Sequence, residues 1–352
     1  MPYDAGLVNR ILVEARNTVT AEMARLFAER KRTGYGPLYE MLADYPFREG
    51  KGLRPALCLA ACRAVGGRTE QAVLSATALE LFHNAFLLHD DVEDESEFRR
   101  GRITMLRAKG ARIAINVGDA TNVLAMEPLL GNTQRVGVRK ALLILQEIER
   151  MARESAEGQA IELAWIADGN FHLHDRDYVR MAYKKTCWYT VIAPLRIGVI
   201  CGVSPGKNSP LEEDLRPLIE LGFLQGIAFQ ISDDLLNLEG DIEQYGKEQS
   251  GDLWEGKRTV MLLHFLRTAR ASDRKKALRI LTLPRSAKSQ DDIVWMLDAM
   301  TKNGSLQYGR KLAREYSERA LEMEQRGLPY FLHNEDQRFL REMLNYVVDR
   351  TK

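Results

Sequence analysis

The stretch Leu79–Arg102, LELFHNAFLLHDDVEDESEFRRGR, sets the reading of the whole chain. An apolar, helix-like run through Phe86, Leu87 and Leu88 ends in a cluster of acids, and Arg99, Arg100 and Arg102 follow at once. A solvated surface helix mixes such charges along its length. Carboxylates gathered at the end of an apolar segment are costly unless a positive partner is expected there. On a helix Asp90 and Asp94 lie one turn apart, about 6 Å, with Asp91 alongside. Carboxylates that close repel by roughly 1–4 kcal/mol, depending on the local dielectric. A divalent cation reverses that sign, and hard oxygen ligands with open positions suit Mg²⁺. Taken alone, the motif reads equally well as a solvated helix end.

A second cluster shifts the balance. Residues 228–241, AFQISDDLLNLEGD, place Asp233 and Asp234 at the end of an apolar helix that starts near Leu218. Two helices that each end a buried stripe in a DD pair can face one another across a cavity. Lys184, Lys185, Lys247 and Lys257 supply cations around the second pair, as Arg99 and Arg100 do for the first. Carboxylates that hold metal, with Lys and Arg that hold phosphate oxygens, describe a diphosphate site. No Walker loop is present: GKGLRP at 50–55 lacks the glycine spacing and the Lys-Ser/Thr pair. With apolar helices behind the charges, the expected substrate is an apolar diphosphate.

The rest of the chain is consistent with a soluble helical protein. Its 352 residues are 45% hydrophobic and 28% charged, an ordinary globular balance. The net charge of +1 gives no basic field for nucleic acid or anionic lipid. Cys58, Cys62, Cys187 and Cys201 lie in apolar surroundings without a CxxC pair, and read as buried thiols. No secretory leader is legible at the start, and the apolar run Tyr189–Val203 is interrupted by Arg196 and too short to span a bilayer. A cytoplasmic protein without stable membrane insertion is expected. Apolar residues recur at threes and fours from Leu7 onward, predicting helices near 53–65, 70–96, 110–131, 134–166, 176–203, 210–238, 256–271, 290–302, 305–326 and 335–350. No hairpin signal stands out. The expectation is a single all-α domain over 1–352, with Ala271–Asp292, rich in Lys, Arg and Ser, its weakest segment and a candidate linker.

Between Gly50 and Arg350 the chain resembles the trans-isoprenyl diphosphate synthases, the polyprenyl synthetase family. GKGLRP is similar to the family's GKxxRP, and Leu79–Gly101 to its first aspartate-rich helix with a trailing RRG. YKKT at 183–186, AFQISDDLLN at 228–237 and YGKEQSGDLWEGKRT at 245–259 resemble the three later motifs, in order. The resemblance implies a helical bundle around a central apolar cavity, an isoprenoid synthase fold, acting as a homodimer. It implies that Asp90, Asp94 and Asp233 hold Mg²⁺, three ions per site with Mn²⁺ able to substitute, and that Asp91 and Asp234 support them. Arg99, Lys185, Lys247 and Lys257 would contact an allylic diphosphate. Lys51, Arg54, His83 and Arg100 would bind isopentenyl diphosphate, and Thr186 and Gln230 would flank the allylic cation.

Two positions depart from the family pattern: Ile103 stands where a Pro is usual, and Asn237 where the second motif ends in Asp. A class I terpene cyclase and a non-catalytic synthase subunit are the alternatives. The segment after Asn237 lacks a cyclase metal triad, and both aspartate pairs are intact. Phe86, one turn before Asp90, is expected to floor the pocket for the growing chain. The small Ala85 beside it suggests a geranylgeranyl product, with farnesyl second.

Overall fold

Helices make up nearly all of the regular structure in a computed structural model that describes residues 3–48, 50–203, 212–239, 250–328 and 330–349. The first half comprises α1 (Ala5–Thr33), α2 (Gly36–Leu42), α3 (Leu53–Ala64), α4 (Thr69–Glu93), α5 (Met105–Lys109), α6 (Ala111–Arg135) and α7 (Val138–Ala167). Next come α8 (Asp175–Ala182), a π-helix (Tyr183–Ile192), α9 (Ala193–Gly202) and α10 (Glu212–Glu239). The remainder holds α11 (Gly251–Glu255), α12 (Val260–Thr268), α13 (Ala271–Leu281), α14 (Gln290–Lys302), α15 (Ser305–Gln325) and α16 (Glu335–Asp349).

Helix α4 carries apolar residues around most of its circumference and is accordingly buried over most of its length. Ala72, Ala76, Ala78, Leu79, Leu81, Ala85 and Leu88 are all nearly inaccessible. It packs against α1, α3, α6 and α9, and so its acidic C-terminal turn is delivered to a fixed place. Close approach of α3 and α9 depends on glycine: a Cβ on Gly198 would lie 2.3 Å from the Cys58 carbonyl, and one on Gly202 2.3 Å from that of Cys62. Helix α10, which carries the second acidic pair, packs on the π-helix and α15.

Three sequence expectations need correction. Residues 98–103 form a two-stranded hairpin, β1 (Phe98–Arg99) against β2 (Arg102–Ile103). Its turn has positive φ at both central residues, Arg100 (53°) and Gly101 (71°), the pattern of a type I′ turn. Arg-Gly is not the usual signal for that turn, and an arginine there is held by its contacts. The helix expected over 176–203 is instead α8, a ten-residue π-helix and α9. Pro194 at the start of α9 has no N–H to donate and its ring crowds the carbonyl four residues back, a local reason for the ladder to leave α register. Segment 271–292, for which no helix is predicted, holds α13, whose Ala277, Ile280 and Leu281 are buried, and a 3₁₀ turn at Arg285–Ala287 leads into α14.

Candidate active site

One face of α4 opens on a cleft of about 920 Å³. Glu80, His83, Leu87 and Asp90, spaced by three and four, line it from that side. Gln230, Asp233 and Asp234 line it from α10, Lys185, Thr186 and Tyr189 from the π-helix, and Lys51 and Arg54 from the start of α3. The two acidic helices therefore do face one cavity.

At its acidic end, Lys257 donates to Asp94 at 2.8 Å and stands 2.7 Å from Glu255. Lys185 donates to the buried Glu162 at 2.5 Å. Burial pushes Asp90 above the ordinary carboxylate range, with Lys185 opposing and Asp94 adding to the rise. Burial also acts on Asp94, but Lys257 and Lys185 outweigh it and hold that carboxyl low. Both lysines are driven up by the surrounding carboxylates against the pull of burial, so they keep their protons. Burial lifts Glu255 to about 7 despite Lys257 beside it. Among the described residues no three acid, histidine or thiol groups already converge on a point. Asp90, Asp94 and Asp233 offer hard oxygen donors, and a lysine ammonium occupies the place of a cation at Asp94. That donor set fits Mg²⁺, which completes its shell with waters and substrate phosphates.

The second aspartate of each pair has a different setting. Asp91 is 1% exposed: Arg99 Nε donates to it at 2.9 Å, a guanidinium terminus makes a second contact, and the Tyr45 hydroxyl donates at 2.5 Å. It is enclosed by these protein groups. Arg99, paired with Asp91, also lines the cleft. Asp234 accepts from the Tyr178 hydroxyl at 2.8 Å and from Gln230 Nε2 at 2.7 Å. Burial, and Asp252 nearby, push its carboxyl well up. The second carboxylate of each DD pair is thus anchored on a buried tyrosine, Asp91 behind the cleft wall and Asp234 still on its lining.

The cationic end assembles as expected. Lys51, Arg54, His83 and Arg100 all line the same cleft. Arg54 donates to Thr190 Oγ1 at 2.9 Å and lies 4.3 Å over the Tyr189 ring, on which His83 also stacks. Arg100, at the tip of the hairpin, donates to the carbonyls of Tyr45 and Arg48 and comes within 3.5 Å of His83 Nε2. Gly50 makes room for it, since a Cβ there would lie 3.0 Å from the guanidinium.

Lys185 and Thr186 occupy the π-helix, a wider coil that recurs at functional sites. Three glycines clasp it. A Cβ on Gly158 would lie 2.2 Å from Lys185 N, one on Gly226 2.6 Å from the Cys187 sulfur and one on Gly222 2.6 Å from Ile192. Thr186 donates to Gln230 Oε1 at 2.5 Å, which the Gln230–Asp234–Tyr178 chain holds in orientation. Lys184 points elsewhere, to Glu154 and Glu157.

Phe86 is not on the cleft wall, which takes Leu87 and Tyr189 instead. Its ring packs edge-on against Tyr189 at 5.6 Å and 6.3 Å from Phe82. Lys247 lies outside the described residues. Glu162, Tyr178, Asp252 and Arg258, not singled out in the sequence, also line the cleft, as does Tyr189, which reads from sequence as a core residue. Asp252, inside the last quoted motif, was open to recognition; Glu162 and Tyr178 are placed only by the fold.

Comparisons with known proteins point to one family. The polyprenyl synthetase family model matches residues 36–300. The octaprenyl diphosphate synthase of Escherichia coli K12 is 33% identical over 77% of this chain and 78% of its own length. Among solved structures, the geranylgeranyl pyrophosphate synthetase of Pyrococcus horikoshii superposes with a TM-score of 0.82 at 30% identity, covering 98% of each chain. The Caulobacter crescentus polyprenyl synthase, solved with calcium and isoprenyl diphosphate, gives 0.81 at 26% identity, covering 97% of this chain and 98% of that one.

Proposed function

The chain belongs to the polyprenyl synthetase family and is an isoprenyl diphosphate synthase; on that premise we propose how its residues divide the work. The observation that carries the reading is the single cleft with a carboxylate-rich end and a separate cationic end. Asp90, Asp94 and Asp233 would hold Mg²⁺ at the first, and Lys185 and Lys257 would reach the oxygens of an allylic diphosphate there. Lys51, Arg54, His83 and Arg100 would hold isopentenyl diphosphate at the second.

Magnesium, when bound, supplies the positive charge that lets the diphosphate leave. The chain's own groups do the rest. Lys257, paired with Asp94 here, would exchange that charge-assisted partner for diphosphate oxygens, and Asp94 would be among the residues that hold Mg²⁺. Lys185 stays anchored on Glu162 while donating from its remaining protons. The allylic C–O bond breaks, its electron pair leaves with the diphosphate, and the Thr186 and Gln230 oxygens face the cation. Isopentenyl diphosphate, aligned by the cationic end, gives its π electrons to the new C–C bond. A proton is then lost to the departing diphosphate from the carbon on the other side of the new cationic centre, and its bonding pair forms a new double bond there. Leu87, Met181, Tyr189 and Phe229 keep that wall apolar and exclude water, which would quench the cation.

We propose a geranylgeranyl product, a reading supported by Leu87 and Tyr189 on the cleft wall and by Phe86 packed edge-on against the tyrosine. A homodimer is supported by an unpartnered apolar stripe on α6, where Val123 is 72% and Leu130 60% exposed with Met126 between them, and by Val138 and Leu142 on α7. No helix among the described residues is long and apolar enough to cross a membrane, which suits a cytoplasmic setting. Incubation with isopentenyl diphosphate, an allylic primer and Mg²⁺, followed by chromatography of the extracted product, tests the assignment. Four-unit diphosphates are expected; chains of eight units would overturn the length, and absence of any condensation the residue roles. Sedimentation of the protein and of Val123→Asp tests the dimer: a monomeric parent protein contradicts it.

A further inference from the structure

Helix α11 is five residues long, yet it sets the place of Asp252, Glu255 and, two residues on, Lys257. A helix that short has too few internal bonds to hold itself. Both its ends are left-handed, at Ser250 (φ 58°) and Gly256 (φ 75°), so it enters and leaves its neighbours abruptly. At its start, the Asn237 side-chain oxygen accepts from Asp252 N at 3.0 Å and the Asn237 carbonyl accepts from Ser250 N at 2.8 Å. At its end, Lys288 Nζ donates to the carbonyls of Leu253 at 3.1 Å and Trp254 at 2.5 Å. Those are the orphan acceptors of a helix C-terminus.

Lys288 comes from the segment between the 3₁₀ turn and α14, outside every motif of the site. It is 8% exposed. Burial, with Arg258 and Arg285 nearby, draws its ammonium down to about 8, so the site holds it against an opposing field. We propose that Lys288 is a positioning residue for the allylic-diphosphate end: by capping α11 it fixes where Lys257 meets Asp94 and Glu255. Asn237, the amide standing where the family pattern has a carboxylate, holds the opposite end. The inference rests on the reading of Lys257 as a diphosphate ligand.

The test compares Lys288→Met, Lys288→Arg, Asn237→Ala and Lys257→Ala by steady-state kinetics, with thermal unfolding alongside. Lys288→Met should raise the allylic KM about tenfold or more, since a displacement near 1 Å can cost about 100-fold. The isopentenyl diphosphate KM should stay within about twofold. Lys288→Arg, which keeps donors at the carbonyls, should recover most of the loss. If Lys288→Met lowers only the melting temperature while Lys257→Ala raises the allylic KM, this inference is overturned alone. If Lys257→Ala leaves the allylic KM unchanged, both fail. Should Lys288→Met not fold, Asn237→Ala decides: the same selective rise supports the clamp, and unaltered constants overturn it.

Discussion

Replacing Asp91 by alanine separates two adjacent carboxylates that the sequence presents as a pair. Its partner Arg99 is 7% exposed, and removing the carboxylate strands a guanidinium in the protein interior together with the Tyr45 hydroxyl. Breaking a buried pair from one side costs about 3–5 kcal/mol, because the remaining charge is uncompensated. Asp90→Ala has the opposite character. Burial and Asp94 already disfavour the charged form of Asp90, so its removal should leave metal-free stability within about 1 kcal/mol, or raise it slightly. Urea unfolding in chelator, followed by tryptophan fluorescence, reads both effects as midpoint shifts. Asp91→Leu combined with Arg99→Met should recover a large part of the loss, since an apolar pair of similar volume can replace a buried ion pair. Equal destabilisation by the Asp90 and Asp91 variants would refute the reasoning, as would a double variant no more stable than Asp91→Ala.

Gly158→Ala should be among the most damaging single-methyl changes, because its Cβ would meet the Lys185 backbone nitrogen at 2.2 Å. Overpacking of this kind costs about 1–3 kcal/mol or more, and turnover should fall further than stability as Lys185 shifts; near-normal activity would show that the π-helix tolerates displacement. Phe86→Ala should lose about 3 kcal/mol, with product length moving by no more than one isoprene unit, read by chromatography. A shift of several units would return Phe86 to the cleft wall.

Much of the site was legible because its signals are local. Helical spacing places Asp90 and Asp94 one turn apart. Lys51, Arg54, His83, Asp90, Arg100, Lys185, Asp233 and Lys257 meet on one cleft, whereas Phe86, expected on its wall, yields that place to Leu87. What escaped depends on elements far apart in the chain. Successive helix residues differ by a quarter turn or more, so Asp90 and Asp91 cannot share a surroundings, but only Tyr45 and the hairpin decide which is enclosed. The π-helix has no composition of its own; it is permitted by Gly158, Gly222 and Gly226 on neighbouring helices. Segment 271–292 reads as polar and linker-like because Lys288, its most consequential residue, is a lysine buried against backbone carbonyls.

The two ends of the cleft should bind differently: carboxylates through metal, cationic side chains directly. Titration calorimetry with a non-ionisable allylic thiodiphosphate and with isopentenyl diphosphate, each with Mg²⁺ and with chelator, tests it. The allylic analogue should bind only with Mg²⁺ and lose that binding in Asp90→Asn, while isopentenyl diphosphate should bind without metal and weaken at least tenfold in Arg54→Ala, a loss of about 1.4 kcal/mol. Metal-independent binding of the allylic analogue, or equal effects of both variants on both ligands, would contradict the account.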